Sequence, residues 1–457
     1  MNWPILRFQP LAWLAMVLCI AAPLLASEPV TWSKDRNKVS ADVSSTKISD
    51  VLEYIASATG WQVFLEPEAA HKTVSAKFKD LPPGDALRLL LRDLNYALVP
   101  ETNSVARLFV FETSRQNATQ RIRPAATGEK KSTRIANELI VKLKPGANID
   151  EIARLLGAKV IGRIAGLNAY RLQFEDGQAA DSARAQLASN SQVDSVDNNY
   201  SIDRPVTPNE VASTSVPPPS LQLKPPPESG QVIVGLVDTG VQSLGAELDK
   251  FLLKAISVAG QSQFDPNSPA HGTSMAETIL RGLQAMSQGG TSVQILPVDV
   301  YGSSGTTSTF DVAAGIVQAV NGGARVINLS LGSEGDSQFL RDIIKNASAS
   351  NILFIGAAGN TPVTTPFYPA AYPEVMAVTA TDRGQIASYA NRGDFVALGA
   401  PGGSVVYFNN QPYYVVGTSS SAALVSGIAA AYMEANKATT PKTQTFLRDN
   451  FSVPTGK

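Results

Sequence analysis

The sequence predicts an α/β fold, a parallel sheet flanked by helices, preceded by two small α+β modules of ferredoxin-like order. Three observations carry this. From Gly230 onward, short apolar runs such as Val232–Val237, Ile327-Asn-Leu-Ser-Leu-Gly332 and Ile352–Ile355 alternate with Gly-rich turns and helical stretches, the texture of parallel strands buried on both faces. Residues 38–113 and 136–202 each alternate helix-spaced and strand-spaced apolar positions. Between them and the last segment, residues 203–229 hold eight of the 29 prolines, a run that favours extended polyproline and cannot pack a core. The length of 457 residues agrees, giving about three domains at roughly 150 residues each.

Composition narrows the function classes. There are 38 basic and 39 acidic residues, a net charge of -1, which argues against a nucleic-acid partner held by charge. One Cys and two His leave no intramolecular disulfide and little for a zinc site. Any imidazole chemistry falls to His71 or His271.

Residues 1–27 read as a secretory signal. Arg7 supplies the positive start, Leu11 to Ala26 the apolar run, and Ala26-Ser27 a small-residue cleavage point. A retained anchor is the other reading, but the run is shorter than the roughly 20 residues that span a bilayer. Leu18 stands before Cys19 where a lipoprotein would want a small residue. With the signal removed, the chain has no cysteine, as suits an exported protein that uses no disulfide.

In residues 28–113, Ile48, Val51, Leu52 and Ile55 follow helical spacing and Gly60 ends the helix. Trp61–Leu65 and Val74–Phe78 read as strands, Pro82-Pro83 open a second helix carrying Ala86, Leu90 and Leu94, and Val105–Phe111 closes the module as a strand. His71 falls in a loop. The stretches "ISDVLEYIASATGWQVFLEP" and "PPGDALRLLLRDLNYAL" resemble the short N-terminal domain of secretins and TonB-dependent receptors. That resemblance implies a docking module for an envelope protein and a periplasmic or secreted location in a Gram-negative bacterium. Residues 114–134, polar and basic, read as a linker. In residues 135–204, Glu138–Lys144, Ala169–Phe174 and Val193–Val196 read as strands, with helices over Ile149–Leu156 and Ala179–Leu187. The Pro-rich linker spans 205–229.

The last segment, 230–457, carries the chemistry. Asp238-Thr-Gly240 follows the first apolar run and puts a carboxylate at a strand's C-terminal end, where α/β sites gather. His271-Gly-Thr273 opens a helical stretch, Gly356-Ala-Ala-Gly-Asn360 ends a strand with an amide, and Gly417-Thr-Ser419 begins a strand-to-helix turn. A serine hydroxyl needs an imidazole to take its proton. The imidazole needs a carboxylate to fix its tautomer. The tetrahedral intermediate needs donors at its oxyanion.

The motifs "VDTG", "HGT", "INLSLG", "GAAGN" and "GTSSSAALVSG", in that order, resemble the subtilisin family of serine proteases across nearly all of residues 230–450. The resemblance implies a subtilisin-like fold and a serine endopeptidase made as a zymogen. By motif, Asp238 would orient His271, His271 would be general base and acid, and Ser419 the nucleophile. Asn360 and the Ser419 N–H would form the oxyanion hole. Ser330, Leu331, Gly332, Gly302 and Gly305 would pair with an extended protein or peptide substrate. Ala357, Ala358 and Gly359 would line the pocket before the scissile bond. "NELIVKLKPG" and "VDSVDNNYSI" likewise resemble the inhibitory propeptide of such enzymes, so the chain's own propeptide is an expected partner. No cofactor is required and no metal ligand is assigned. Family members often hold structural calcium, but no ligand-rich loop here can be named for it. Ser420-Ser421 replace the family's usual Met-Ala, Ala423 its proline, and Ser274 a second histidine. Ser274 lies on the His271 helix with no turn of its own, and a packing role is expected for it. An inactive pseudoprotease or a peptide-binding module on the same fold is the alternative.

Overall fold

The computed structural model describes residues 30–33, 38–99, 106–118, 120–122, 133–205, 209–210, 221, 223, 232–287 and 290–454. The expected signal and most of the Pro-rich linker lie outside the described residues.

The first module has its own core around Ile48, Val51, Leu52, Ile55, Leu87 and Leu90. Helix Ile48–Thr59 ends at Gly60, whose φ of 75° suits glycine. Two sheets flank the helices. One orders Val30–Ser33, Lys38–Lys47 and Thr73–Leu81; the other orders Asn95–Val99, Arg107–Phe111, Gln62–Leu65 and Gln120–Ile122. Three features differ from expectation. The second helix, Pro83–Leu90, stops four residues early, in a turn where the Leu94 amide bonds the Leu91 carbonyl. Strands Lys38–Lys47 and Asn95–Val99 carry weak apolar alternation and were not expected. Gln120–Ile122, expected as linker, pairs antiparallel with Val63–Leu65 as an edge strand and buries Ile122, so it belongs to the module's sheet. His71 closes the one-turn helix Pro67–His71.

The second module runs β-α-β-β-α-β. Its antiparallel strands order as Val193–Asp203, Arg134–Leu143, Ala169–Gln173 and Lys159–Ile164, the ferredoxin-like arrangement. Side-chain caps start both helices: Asn148 accepts from the Asp150 amide and Asp176 from the Ala179 amide. The last strand, expected to end at Val196, continues to Asp203 and crosses onto the third segment.

The third segment is built on an eight-stranded sheet. Strands Ile256–Ser257, Gln294–Asp299, Ile233–Asp238, Ala324–Leu329, Leu353–Ala357 and Val375–Asp382 lie side by side in parallel. Leu398–Pro401 also pairs in parallel with Val375–Asp382, and Gln385–Ile386 is antiparallel. Alternate side chains face opposite layers. Val234, Leu236, Val326 and Ile355 pack with helices His271–Met286 and Thr418–Asn436. Val237, Val298, Ile327 and Phe354 pack with helices Thr309–Asn321 and Gln338–Ala349. This burial on both faces explains the unbroken apolar runs. Part of the Pro-rich stretch joins the same body: Asn209–Glu210 pairs with Tyr413–Tyr414, and Leu223 is buried in the core.

Candidate active site

Asp238 ends its strand fully buried, and parallel register sets it level with Asp299. Its Oδ1 accepts from the Thr239 amide at 2.6 Å and from His271 Nδ1 at 2.8 Å; its Oδ2 lies 3.0 Å from the same nitrogen. A buried carboxylate this well bonded can hold an imidazole in one tautomer and orientation.

The residues around His271 explain its motif. It is the first residue of its helix, and the next amide, on Gly272, donates to Thr239 Oγ1 at 2.8 Å. A Cβ on Gly272 would lie 2.2 Å from the Thr239 carbonyl oxygen, so only glycine lets helix and strand end meet. Thr273 Oγ1 accepts from the Gln242 amide and donates to Gln242 Oε1, both at 2.9 Å. Ser274 is buried and its hydroxyl donates to the Ala270 carbonyl, a packing role.

Ser419 is the second residue of helix Thr418–Asn436, so its N–H has no partner within the helix. Its hydroxyl donates to the Ser330 carbonyl at 3.2 Å, while the Ser330 hydroxyl lies 3.1 Å from the Ser419 carbonyl. Ser330 follows strand Ala324–Leu329, whose Leu329 is paired with Val237. The turn that carries Ser419 thus lies beside the strand end that carries Asp238. The Ser419 hydroxyl points at a main-chain oxygen rather than at His271. The two helices pack closely because a Cβ on Gly427 would sit 2.1 Å from the Ile279 carbonyl oxygen, and one on Gly282 2.3 Å from that of Leu424.

Asn360 is exposed, and its Oδ1 accepts from the Thr418 amide at 2.8 Å and the Thr418 hydroxyl at 3.0 Å. That fixes the amide with its NH₂ over Gly417, whose φ is 151° and whose added Cβ would meet Nδ2 at 3.0 Å. Thr418 Oγ1 also accepts from the Gly359 amide. The Ser420-Ser421 departure is accommodated: both are buried, and Ser421 donates to the carbonyls of Ala400 or Pro401.

The expected substrate residues separate into groups. Gly302 and Gly305 border strand Thr306–Ser308, which pairs antiparallel with Ser201–Asp203 of the second module. A Cβ on Gly332 would meet Tyr368 O at 2.6 Å, so the segment is tight against residues 367–368, and Leu331 is buried. Ala357 packs in the core with Met376 and Val378, and Ala358 is wholly buried. Their side chains are buried. Gly359, at φ 108°, presses on Asn391.

The second module docks on the starts of two helices of the third segment. Asp197 Oδ2 accepts from the Phe339 amide at 2.9 Å and from Ser337 Oγ at 2.8 Å, at the start of helix Gln338–Ala349. Asn199 Oδ1 accepts from the Phe310 amide and the Thr309 hydroxyl at the start of the neighbouring helix. Arg171 bridges Glu138 and Asp311, at 2.7 and 2.9 Å. Burial pushes the Asp311 carboxyl above its ordinary pKa and Arg171 opposes that. Acceptors at helix N-termini meet both free amides and the positive end of the dipole.

Sequence reading missed Thr239, Asp299, Thr418 and Asn391. Thr239 and Thr418 stand inside quoted motifs and Asp299 and Asn391 outside them, but the packing of each involves a partner dozens of residues away.

Residues 229–450 match the subtilase family model, and residues 120–199 match the fervidolysin N-terminal prodomain. Subtilisin Savinase of Lederbergia lenta is 32% identical over 216 residues, covering 45% of this chain and 77% of that protein. The chain belongs to the subtilase family. Another subtilase relative, the thermostable alkaline protease of Halalkalibacterium halodurans, is 35% identical over 208 residues, covering 43% of this chain and 55% of that protein. The chain spans about half the length of the first curated relatives it matches. Fervidolysin from Fervidobacterium pennivorans, described as a keratinolytic enzyme related to subtilisin, superposes with a TM-score of 0.54. It is 20% identical and covers 71% of this chain and 58% of that one. This likeness shows the fold alone and says nothing of substrate.

Proposed function

We propose that the chain is an exported serine endopeptidase, made as a zymogen, that cleaves peptide bonds through an acyl-enzyme. Asp238 orients His271; His271 takes the proton of Ser419 and returns it to the leaving amine; Asn360 Nδ2 and the Ser419 N–H hold the oxyanion. The observation that carries the reading is the buried Asp238–His271 pair at 2.8 Å. For the attack, the Ser419 hydroxyl turns from the Ser330 carbonyl toward the imidazole. The chemistry needs no cofactor, since base, nucleophile and oxyanion donors are all protein groups. The second module acts as inhibitor and folding aid. The first docks to an envelope protein, and the export signal sends the chain to the periplasm or medium of a Gram-negative bacterium.

A fluorophosphonate probe tests the chemistry. Ser419 should be labelled, and labelling should vanish in Ser419→Ala and His271→Ala. An inactive peptide-binding relative is the second reading, raised by Ser420-Ser421 and Ala423 in place of the family's Met-Ala and proline; a wild-type chain that stays unlabelled after removal of the second module would support it. Mass mapping of self-cleavage tests the zymogen, because processing that persists in Ser419→Ala comes from another protease.

A further inference from the structure

This inference rests on the protease reading. The end of the second module lies on strand Thr306–Ser308 with Ser201 opposite Ser308, Ile202 opposite Thr307 and Asp203 opposite Thr306. The Arg204 amide continues the ladder by donating to the Gly305 carbonyl at 2.8 Å. This stretch of the chain thus reaches Gly305, one end of the segment expected to receive substrate. Backbone pairing is blind to side chains, but Arg204 makes contacts of its own. Its Nη1 donates to the carbonyls of Ser304 at 2.8 Å and Gly302 at 3.2 Å. Its guanidinium carbon lies 5.7 Å from the centre of the Tyr301 ring.

That ring is a fixed platform. Tyr301 is buried, its hydroxyl donates to the Asp203 carbonyl at 3.1 Å, and Asp299 Oδ1 accepts from the amides of Tyr301 and Gly302. The surroundings are electronegative. The Tyr301 phenol is held well above its ordinary pKa, first by burial and then by Asp238, with Asp203 and Asp299 adding and Arg204 opposing. A cation at this place meets two carbonyl oxygens, an aromatic face and the field of nearby carboxylates.

We infer that the cleft carries an arginine subsite, formed by the carbonyls of Gly302 and Ser304 and the face of Tyr301, which selects substrates with arginine in register with Gly305. Arginine suits it better than lysine, because a flat guanidinium stacks on a ring and bonds carbonyls at once. In the zymogen Arg204 holds the subsite as a substrate arginine would.

The full chain is incubated with a random peptide mixture and the cuts are read by mass spectrometry, with Ser419→Ala as blank. Arginine should exceed glutamine and methionine about tenfold at one position before the cut, with lysine between, as loss of a charge-assisted bond implies. Cutting with no arginine preference at any position overturns the subsite and leaves the protease reading intact. A chain that cuts nothing even after limited proteolysis has removed the second module overturns the protease reading, and hydrogen exchange on the full chain then judges the subsite. In the full chain, Arg204→Met should speed exchange across residues 201–204 about tenfold, with Arg204→Lys intermediate. Unchanged exchange in Arg204→Met overturns it.

Discussion

At the residue scale, the side chains that matter are held by neighbours that the motifs do not advertise. Asn360 can offer its NH₂ only because Thr418 occupies its oxygen twice, by amide and hydroxyl. Asn360→Ala should lower kcat by about 10²–10³ with little change in KM. That magnitude is carried over from such a donor in subtilisin, a family member. Thr418→Val keeps the shape but removes the acceptor of the Gly359 amide. It should cost about 1–2 kcal/mol of stability, read by denaturant titration, and lower kcat without abolishing it. The sequence made Asp238, His271, Asn360 and Ser419 legible, because each stands in a short motif whose order is telling. It did not make Thr418 legible as a positioning group, because a hydroxyl beside a candidate serine has no distinct pattern of its own.

At the element scale, the site depends on how closely two helices approach. Helices His271–Met286 and Thr418–Asn436 cross where Gly282 faces Leu424 and Gly427 faces Ile279. Gly427→Ala forces a methyl against backbone with no flexible side chain to yield. The expected loss is about 1–3 kcal/mol, with a fall in kcat as Ser419 is displaced relative to His271. A calorimetric scan and steady-state kinetics check the two effects, and unchanged values for both would refute the crossing argument. Strands Gln294–Asp299 and Val375–Asp382 and helices Thr309–Asn321 and Gln338–Ala349 came only from the structure, whereas strands Ile233–Asp238, Ala324–Leu329 and Leu353–Ala357 were readable from apolar runs. The edge strand Gln120–Ile122 was not, since three residues carry no measurable period and pairing with Val63–Leu65 defines them.

At the scale of the whole molecule, the prodomain and the subtilase body share a cluster in which Ile140, Ile164, Ala169 and Ile202 pack with Phe310 and Phe339. Around it, Asp197 and Asn199 cap two helices of the body. Asp197→Ala leaves the Phe339 amide without that acceptor and removes a charge from a helix N-terminus. The prodomain's grip should weaken about 5- to 30-fold, equivalent to roughly 1–2 kcal/mol. The initial rate of the unprocessed chain on a protein substrate should rise accordingly, and no rise would argue against an inhibitory role for this contact.

The sequence by itself determined three of the buried parallel strands, the helix starts at His271 and beside Ser419, and which residue types could supply nucleophile, base and oxyanion donors. Those are local matters: the period of apolar residues, glycine at close approaches, and motif order. Tertiary structure alone decided that Thr239 receives the Gly272 amide, that Thr418 is bonded to Asn360, and that the strand ending at Asp203 pairs with Thr306–Ser308. These depend on contacts between residues distant in sequence, where burial and hydrogen-bond geometry choose among side chains that look interchangeable along the chain.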